Sequence, residues 1–367
     1  MSKPLKPNKQ QKRSPSPTGR TKPRSKAPSR EARKNSVYLQ RAFLFLLIIA
    51  VIFSGIAAVS WNRQRRFLDV PVPYSLTEMN GAAQLSDFAL QKTVPYTHDL
   101  VVSEANVNTD LVSLEREDEN ALLFNMQTNE PVYAYDIYRR IYPASITKVM
   151  TAILALENAD MSQYVTMQAS DFALDEDAQM SELEAGDVVT MQQLFELLVV
   201  YSANDAALAI ARVVGGNTDN FVDMMNAKAV ELGMTGTHFV NPHGLHDENH
   251  YTTCYDVYLM MNAAYKMQAF NEAAQQMQIT INYTDKNGQK KSFLEYSTDE
   301  FITTNYSLPR NVRILASKTG TTGEAGSCLA LAVQNDYGEP FIAIVMGAWY
   351  HEELYSDMLE MLLLVNS

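Results

Sequence analysis

Three apolar runs near the end of the chain, Val312–Lys318, Cys328–Gln334 and Phe341–Gly347, predict strands; Asp336-Tyr337-Gly338-Glu339 is the turn between the last two. Phe341-Ile342-Ala343-Ile344-Val345-Met346 is unbroken apolar sequence, as expected of a strand covered on both faces. Ala121–Met126 and Val132–Tyr135 flank Gln127-Thr128-Asn129-Glu130 and read as a hairpin. Ile279–Tyr283 and the stretch after Lys290 flank Asn287-Gly288 in the same way. Helical spacing predicts helices at Met191–Tyr201, Ala203–Val214, Asn220–Leu232 and Thr253–Lys266, with Glu352–Val365 as a closing amphipathic helix. Asn217-Thr218-Asp219 is placed to cap the third of these, and Gly233 to end it. Strands bracketing a helical middle predict an α+β fold: an antiparallel sheet of about five strands with helices on both faces.

Ahead of this region lies a pattern of another kind. Ala42–Trp61 carries no charge over 20 residues, the length of one helical membrane crossing. Residues 1–41 hold 13 Lys/Arg against one acid, Glu31, with abundant Pro and Ser, and predict a disordered basic arm. The rest of the chain has 17 basic and 41 acidic residues, so the overall charge of -12 conceals a strong asymmetry. A basic arm directly before an apolar span predicts a cytoplasmic amino terminus and an exported remainder, and it argues against nucleic acid as the arm's partner. A cleaved signal peptide, with Ala58-Val59-Ser60 as the cleavage site, is the alternative; the length of the arm favours a retained single-pass anchor. The expected organisation is an arm over 1–41, the span over 42–61, a spacer over 62–100 and a catalytic domain over 101–367. Export permits a disulfide between Cys254 and Cys328, and two buried thiols fit their apolar segments equally well.

Candidate chemistry begins at Ser145-Ile146-Thr147-Lys148, just before the apolar run Val149–Leu156. That context reads as a helix start, which puts serine and lysine one turn apart on one face. A neutral lysine amine there can take the proton of a serine hydroxyl. Alone the spacing is weak. It gains weight from Ser202-Ala203-Asn204 between two helical runs and from Lys318-Thr319-Gly320 at the end of a strand run, followed by Thr321. Serine–two–lysine, serine–one–asparagine and lysine–threonine–glycine, in that order, form the signature set of penicillin-interacting serine acyltransferases.

From about Leu100 onward the chain resembles the serine-type D-alanyl-D-alanine carboxypeptidases, the low-molecular-mass penicillin-binding proteins. Pro143–Thr151, Tyr201–Ala207, Asn241–Leu245 with His250–Thr253, and Lys318–Gly320 with Ala325-Gly326 carry the resemblance. It implies a β-lactamase/transpeptidase-like fold and no metal or cofactor. It implies hydrolysis of the terminal D-alanine from peptidoglycan stem peptides, with β-lactams as covalent inhibitors. Carried onto this chain, Ser145 is the nucleophile, Lys148 its base and Ser202 a proton shuttle. Asn204, Lys318, Thr319, Gly320 and Thr321 bind substrate. Two departures stand out. The chain ends soon after its closing helix, without the β-rich second domain of larger members. Trp349-Tyr350-His351-Glu352-Glu353 also lacks an arginine that many relatives carry there for the substrate carboxylate.

His243, His246 and His250 with Asp247 and Glu248 lie in an Asn/Pro/Gly-rich loop, which suits a structural or substrate-lining role better than metal. Asp175-Glu176-Asp177 reads as a solvated acidic loop, and the 18 methionines as core filling. Between Ser202 and Lys318 there is no glutamate–two–leucine–asparagine segment of the kind that deacylates class A β-lactamases. A membrane-anchored penicillin-binding sensor, an endopeptidase and a transpeptidase remain as alternatives on the same scaffold.

Overall fold

The computed structural model describes residues 104–114, 118–174 and 178–366. The predicted arm, span and spacer, and Asp175–Asp177, lie outside them. Among the described residues no helix is long and apolar enough to cross a membrane.

In chain order the elements are β1 (Asn120–Asn125), β2 (Glu130–Tyr135), β3 (Arg140–Ile141), α1 (Lys148–Asn158), β4 (Tyr164–Thr166), β5 (Val188–Thr190), α2 (Met191–Glu196), α3 (Asn204–Gly215), α4 (Thr218–Leu232), β6 (Thr252–Thr253), α5 (Cys254–Tyr265), α6 (Gln268–Ala274), β7 (Gln278–Thr284), β8 (Lys290–Tyr296), β9 (Arg313–Thr322), β10 (Gly326–Gln334), β11 (Pro340–Ala348) and α7 (His351–Leu363). The main sheet is antiparallel with five strands in the order β2-β1-β11-β10-β9.

The unbroken apolar strands have a direct cause. Leu122, Phe124, Cys328, Ala330, Ala332, Ile342, Ile344 and Met346 pack into the core under the helical middle. Their alternates Ala121, Leu123, Leu329, Leu331, Val333, Phe341, Ala343 and Val345 pack against α7. Each strand thus keeps its period of two, with both phases buried. Cys254 and Cys328 are buried free thiols, and burial pushes Cys328 up to about 12.

The predicted helices are present with small shifts. Asn217 caps α4 by accepting the Asn220 N–H, and Gly233 closes it at φ +80. The helix expected over Met191–Tyr201 changes character: after Glu196 it widens into a π-turn, Leu197–Tyr201. A second sheet, in the order β4-β5-β7-β8, carries the expected hairpin around Asn287-Gly288. Its strands β4 and β5, and the β3–β6 pair, are too short to show a period in sequence. Arg212 of α3 donates twice to the buried Asp171 carboxylate (2.9 and 2.7 Å), tying the helix that begins with Asn204 to the turn Ala169–Phe172.

Candidate active site

Ser145 sits in a 3-10 turn, Ala144–Thr147, and α1 starts at Lys148 rather than before Ser145. Residues three apart eclipse in such a turn, so the serine and lysine face each other. Ala144 has φ +46, rare for a residue with a side chain, and this left-handed step sets the backbone immediately ahead of Ser145.

Lys148 is 1% exposed. Its Nζ lies 2.8 Å from Ser145 Oγ, 2.7 Å from Asn204 Oδ1 and 2.8 Å from the His243 carbonyl. Burial first, then the nearby Lys318, holds it well below the ordinary lysine value. The partners decide what the neutral amine does. Asn204 Oδ1 and the His243 carbonyl only accept, so they take its two N–H groups. The lone pair is left facing Ser145, whose hydroxyl then donates to it. The three partners therefore make Lys148 a base directed at one oxygen.

The loop from Asn241 to His250 holds that carbonyl in place. Thr151 Oγ1 donates to the Pro242 carbonyl (2.6 Å) and His250 Nε2 meets Thr147 Oγ1 at 2.8 Å. His250 Nδ1 accepts the Val240 N–H and His243 Nδ1 accepts the Leu245 N–H. Burial pushes His250 down to about 4 and His243 down to about 3, so both rings are neutral near pH 7.

Ser202 follows the π-turn in the left-handed region at φ +66, a second strained residue at the site. Its Oγ accepts from Lys318 Nζ at 2.9 Å, and that amine also donates to the Thr319 carbonyl. Asn204 is the first residue of α3 and its N–H donates to the Gln179 carbonyl. Strand β9 lies at the sheet edge, and its register pairs Lys318 with Ala330 and Gly320 with Cys328. Lys318 and Gly320 therefore share the helical face, toward Ser145 and Ser202. Thr319 and Thr321 point to the other face, toward α7. A Cβ at Gly320 would lie 2.9 Å from the Ser145 nitrogen, so this backbone approach needs glycine.

All eight residues expected at the site thus converge. Ser145, Ser202, Asn204, Thr319, Gly320 and Thr321 line one cavity of about 380 Å3, with the Lys148 and Lys318 amines bonded to its two serines. An open groove of about 1060 Å3 adjoins it, sharing Thr321 and Thr322. The smaller cavity is the chemical one, because only it contains Ser145. Sequence reading missed Thr298, whose hydroxyl pairs with that of Thr319 (2.5 Å), and His351, which lines the cavity beside Thr321. In sequence, Trp349–Glu353 carries no signal beyond its lack of an arginine.

Lys318 is 2% exposed and desolvation pushes it down to about 7. Between about 7 and the ordinary 10.5 the unfolded chain binds a proton that the folded chain does not, so this group's contribution to stability rises with pH across that window. Below about 7 the fold carries the full cost of a buried charge. Lys318→Met is therefore expected to stabilise the protein at pH 6 by about 1–3 kcal/mol, with a smaller gain at pH 9.5, while abolishing activity. Thermal melts at the two pH values check this; a Met variant less stable at pH 6 overturns it.

The chain is similar to known proteins. The chain is 30% identical over 252 residues to the D-alanyl-D-alanine carboxypeptidase DacF of Bacillus subtilis, covering 68% of this chain and 62% of DacF. It is 27% identical over 286 residues to the D-alanyl-D-alanine endopeptidase of Escherichia coli, covering 74% of this chain and 84% of that one. The crystal structure of the Streptomyces K15 DD-transpeptidase superposes with a TM-score of 0.62 at 26% identity, over 67% of this chain and 95% of that one. The fold is a mixed α/β fold of the penicillin-binding and β-lactamase type. Residues 106–349 match the Peptidase_S11 family, D-alanyl-D-alanine carboxypeptidase, and the chain belongs to that family.

Proposed function

We propose that the protein is a serine D-alanyl-D-alanine carboxypeptidase that trims the terminal D-alanine from peptidoglycan stem peptides through an acyl-enzyme on Ser145. One observation carries this reading: a fully buried Lys148 amine whose acceptor-only partners turn its lone pair to the Ser145 hydroxyl. The substrate lies along the open edge of β9 as an added strand. Lys148 takes the Ser145 proton as Oγ attacks the penultimate carbonyl. The oxyanion forms against the N–H groups of Ser145 and Thr321, each worth about 3 kcal/mol. The proton that Lys148 took is relayed through the Ser202 hydroxyl, held by Lys318, to the leaving amine, so that Lys148 and Ser202 are both neutral again as D-alanine departs. Asn204 holds both Lys148 and the substrate amide. Lys318, Thr319 and Thr321 receive the terminal carboxylate. Water then attacks the ester and restores Ser145. β-Lactams acylate the same oxygen. The uncharged span 42–61 anchors the chain with its catalytic domain outside the membrane, where such peptides are found.

The test uses the full chain in detergent, a peptide ending in Lys-D-Ala-D-Ala, and a fluorescent penicillin. Release of D-alanine together with covalent labelling is expected. Labelling without release makes the protein a penicillin-binding sensor, and neither signal sinks the enzyme reading. The similarity to the Escherichia coli endopeptidase favours one second reading, cleavage of cross-linked stem peptides. A cross-linked muropeptide dimer distinguishes it, since only an endopeptidase returns two monomers.

A further inference from the structure

A peptide carboxylate leaving water for this cavity needs charged donors, because an unpaired buried charge is strongly unfavourable. Lys318 supplies one side, but its amine is already shared between Ser202 Oγ and the Thr319 carbonyl. Among the described residues lining the cavity, none is an arginine. Across from Lys318 stands His351, half-exposed, the first residue of the 13-residue helix α7. Its Nε2 is 3.4 Å from Thr321 Oγ1 and its Nδ1 is 3.3 Å from Glu300 Oε1. Glu300 is itself fixed: its backbone N–H donates to the Tyr355 hydroxyl (2.8 Å), one turn along α7 from His351. The ring is thus clamped between Glu300 and Thr321. The alternation along β9 brings the Thr319 and Thr321 hydroxyls to this same side. With Nδ1 turned to Glu300, the other ring nitrogen, Nε2, faces Thr321 at the cavity. The positive end of the α7 dipole adds to the pull on an anion there.

We propose that His351 is a carboxylate-recognition residue of this enzyme, acting with the Thr319 and Thr321 hydroxyls on the substrate terminus, and that Glu300 is its positioning residue. The inference rests on the acyl-enzyme reading of the Ser145 site and adds the origin of its preference for free carboxyl termini. Two peptides test it with the full chain in detergent: one ending in D-Ala-D-Ala carboxylate and its carboxamide analogue. His351→Gln is expected to lose about 10-fold or more in kcat/KM on the carboxylate, mainly through KM, with less than about 2-fold change on the carboxamide. His351→Arg keeps most of the carboxylate activity, and Glu300→Gln falls between. Equal losses on both peptides, or an undiminished preference in His351→Gln, overturn the proposal. Calorimetric binding of both peptides to Ser145→Ala, with and without His351→Gln, reads the subsite without chemistry. Carboxylate-selective binding that needs His351, alongside a wild-type chain that turns over neither peptide, sinks the acyl-enzyme reading and leaves this one standing. Binding indifferent to the carboxylate, or no binding, sinks this one.

Discussion

Ser145→Ala is expected to lose penicillin labelling and D-alanine release together, by at least about 10^4-fold. Ser145 contributes little to the fold. It is only half-buried, and its hydroxyl has one hydrogen-bond partner among the described residues, the Lys148 amine. Removing the oxygen leaves that amine bonded to Asn204 and the His243 carbonyl, so the fold loses almost nothing. The melting temperature should therefore correspond to a stability within about 0.5 kcal/mol of wild type. Lys148→Met is expected to lose activity on a similar scale for a different reason, since the hydroxyl then has no base. The Ser145→Ala/Lys148→Met double variant should be no less active than the worse single variant, because both residues serve one proton transfer. Stopped-flow acylation by penicillin, with thermal melts, measures all three. Residual acylation above a hundredth of wild type in Ser145→Ala would place the nucleophile elsewhere, and losses that multiply in the double variant would break the link between the two residues.

The site divides into parts that are local in sequence and parts that are not. Ser145 with Lys148, Ser202 with Asn204, and Lys318 through Thr321 each lie within four residues, so short spacing carries their signal. Thr298 and His351 line the cavity from segments far from the motifs in sequence, with Glu300 beside His351 and tied to α7 through the Tyr355 hydroxyl, and no local pattern records those contacts. The strained backbone was also invisible. Ala144 and Ser202 take positive φ without being glycine, a conformation imposed by packing rather than propensity. The main sheet was legible because its strands are long enough to keep a period and are buried on both faces. The second sheet was half legible: β7 and β8 have seven residues each and a turn signal, whereas β4 and β5 have three residues each. The π-turn before Ser202 reads in sequence as ordinary helix, since Leu197–Val200 are all apolar and all buried.

Gly244→Ala is expected to be the most disruptive single-methyl change near the site, costing about 3 kcal/mol or more. Gly244 has φ +90, a region that disfavours any side chain. A Cβ there would lie 1.9 Å from the Ala144 carbonyl oxygen and 2.8 Å from Thr147 Oγ1. The nearest obstacle is backbone, so no rotamer change relieves it. The carbonyl it strikes belongs to Ala144, whose left-handed step sets the backbone immediately ahead of Ser145. Strain therefore passes into the nucleophile's own turn, and the neighbouring His243 carbonyl that orients Lys148 shifts with it. Stability and acylation should fall together, with a melting point lowered by about 6–12 °C and acylation slowed by about 100-fold. Gly323→Ala is the matched control. It lies two residues from Thr321, yet a Cβ there meets nothing within 4 Å and its backbone is not left-handed. That variant should melt and acylate as wild type does. A Gly244→Ala protein with unchanged acylation would show that the Ala144 turn does not set the aim of Ser145, and loss in both variants would point to a general sensitivity of the loops around the cavity.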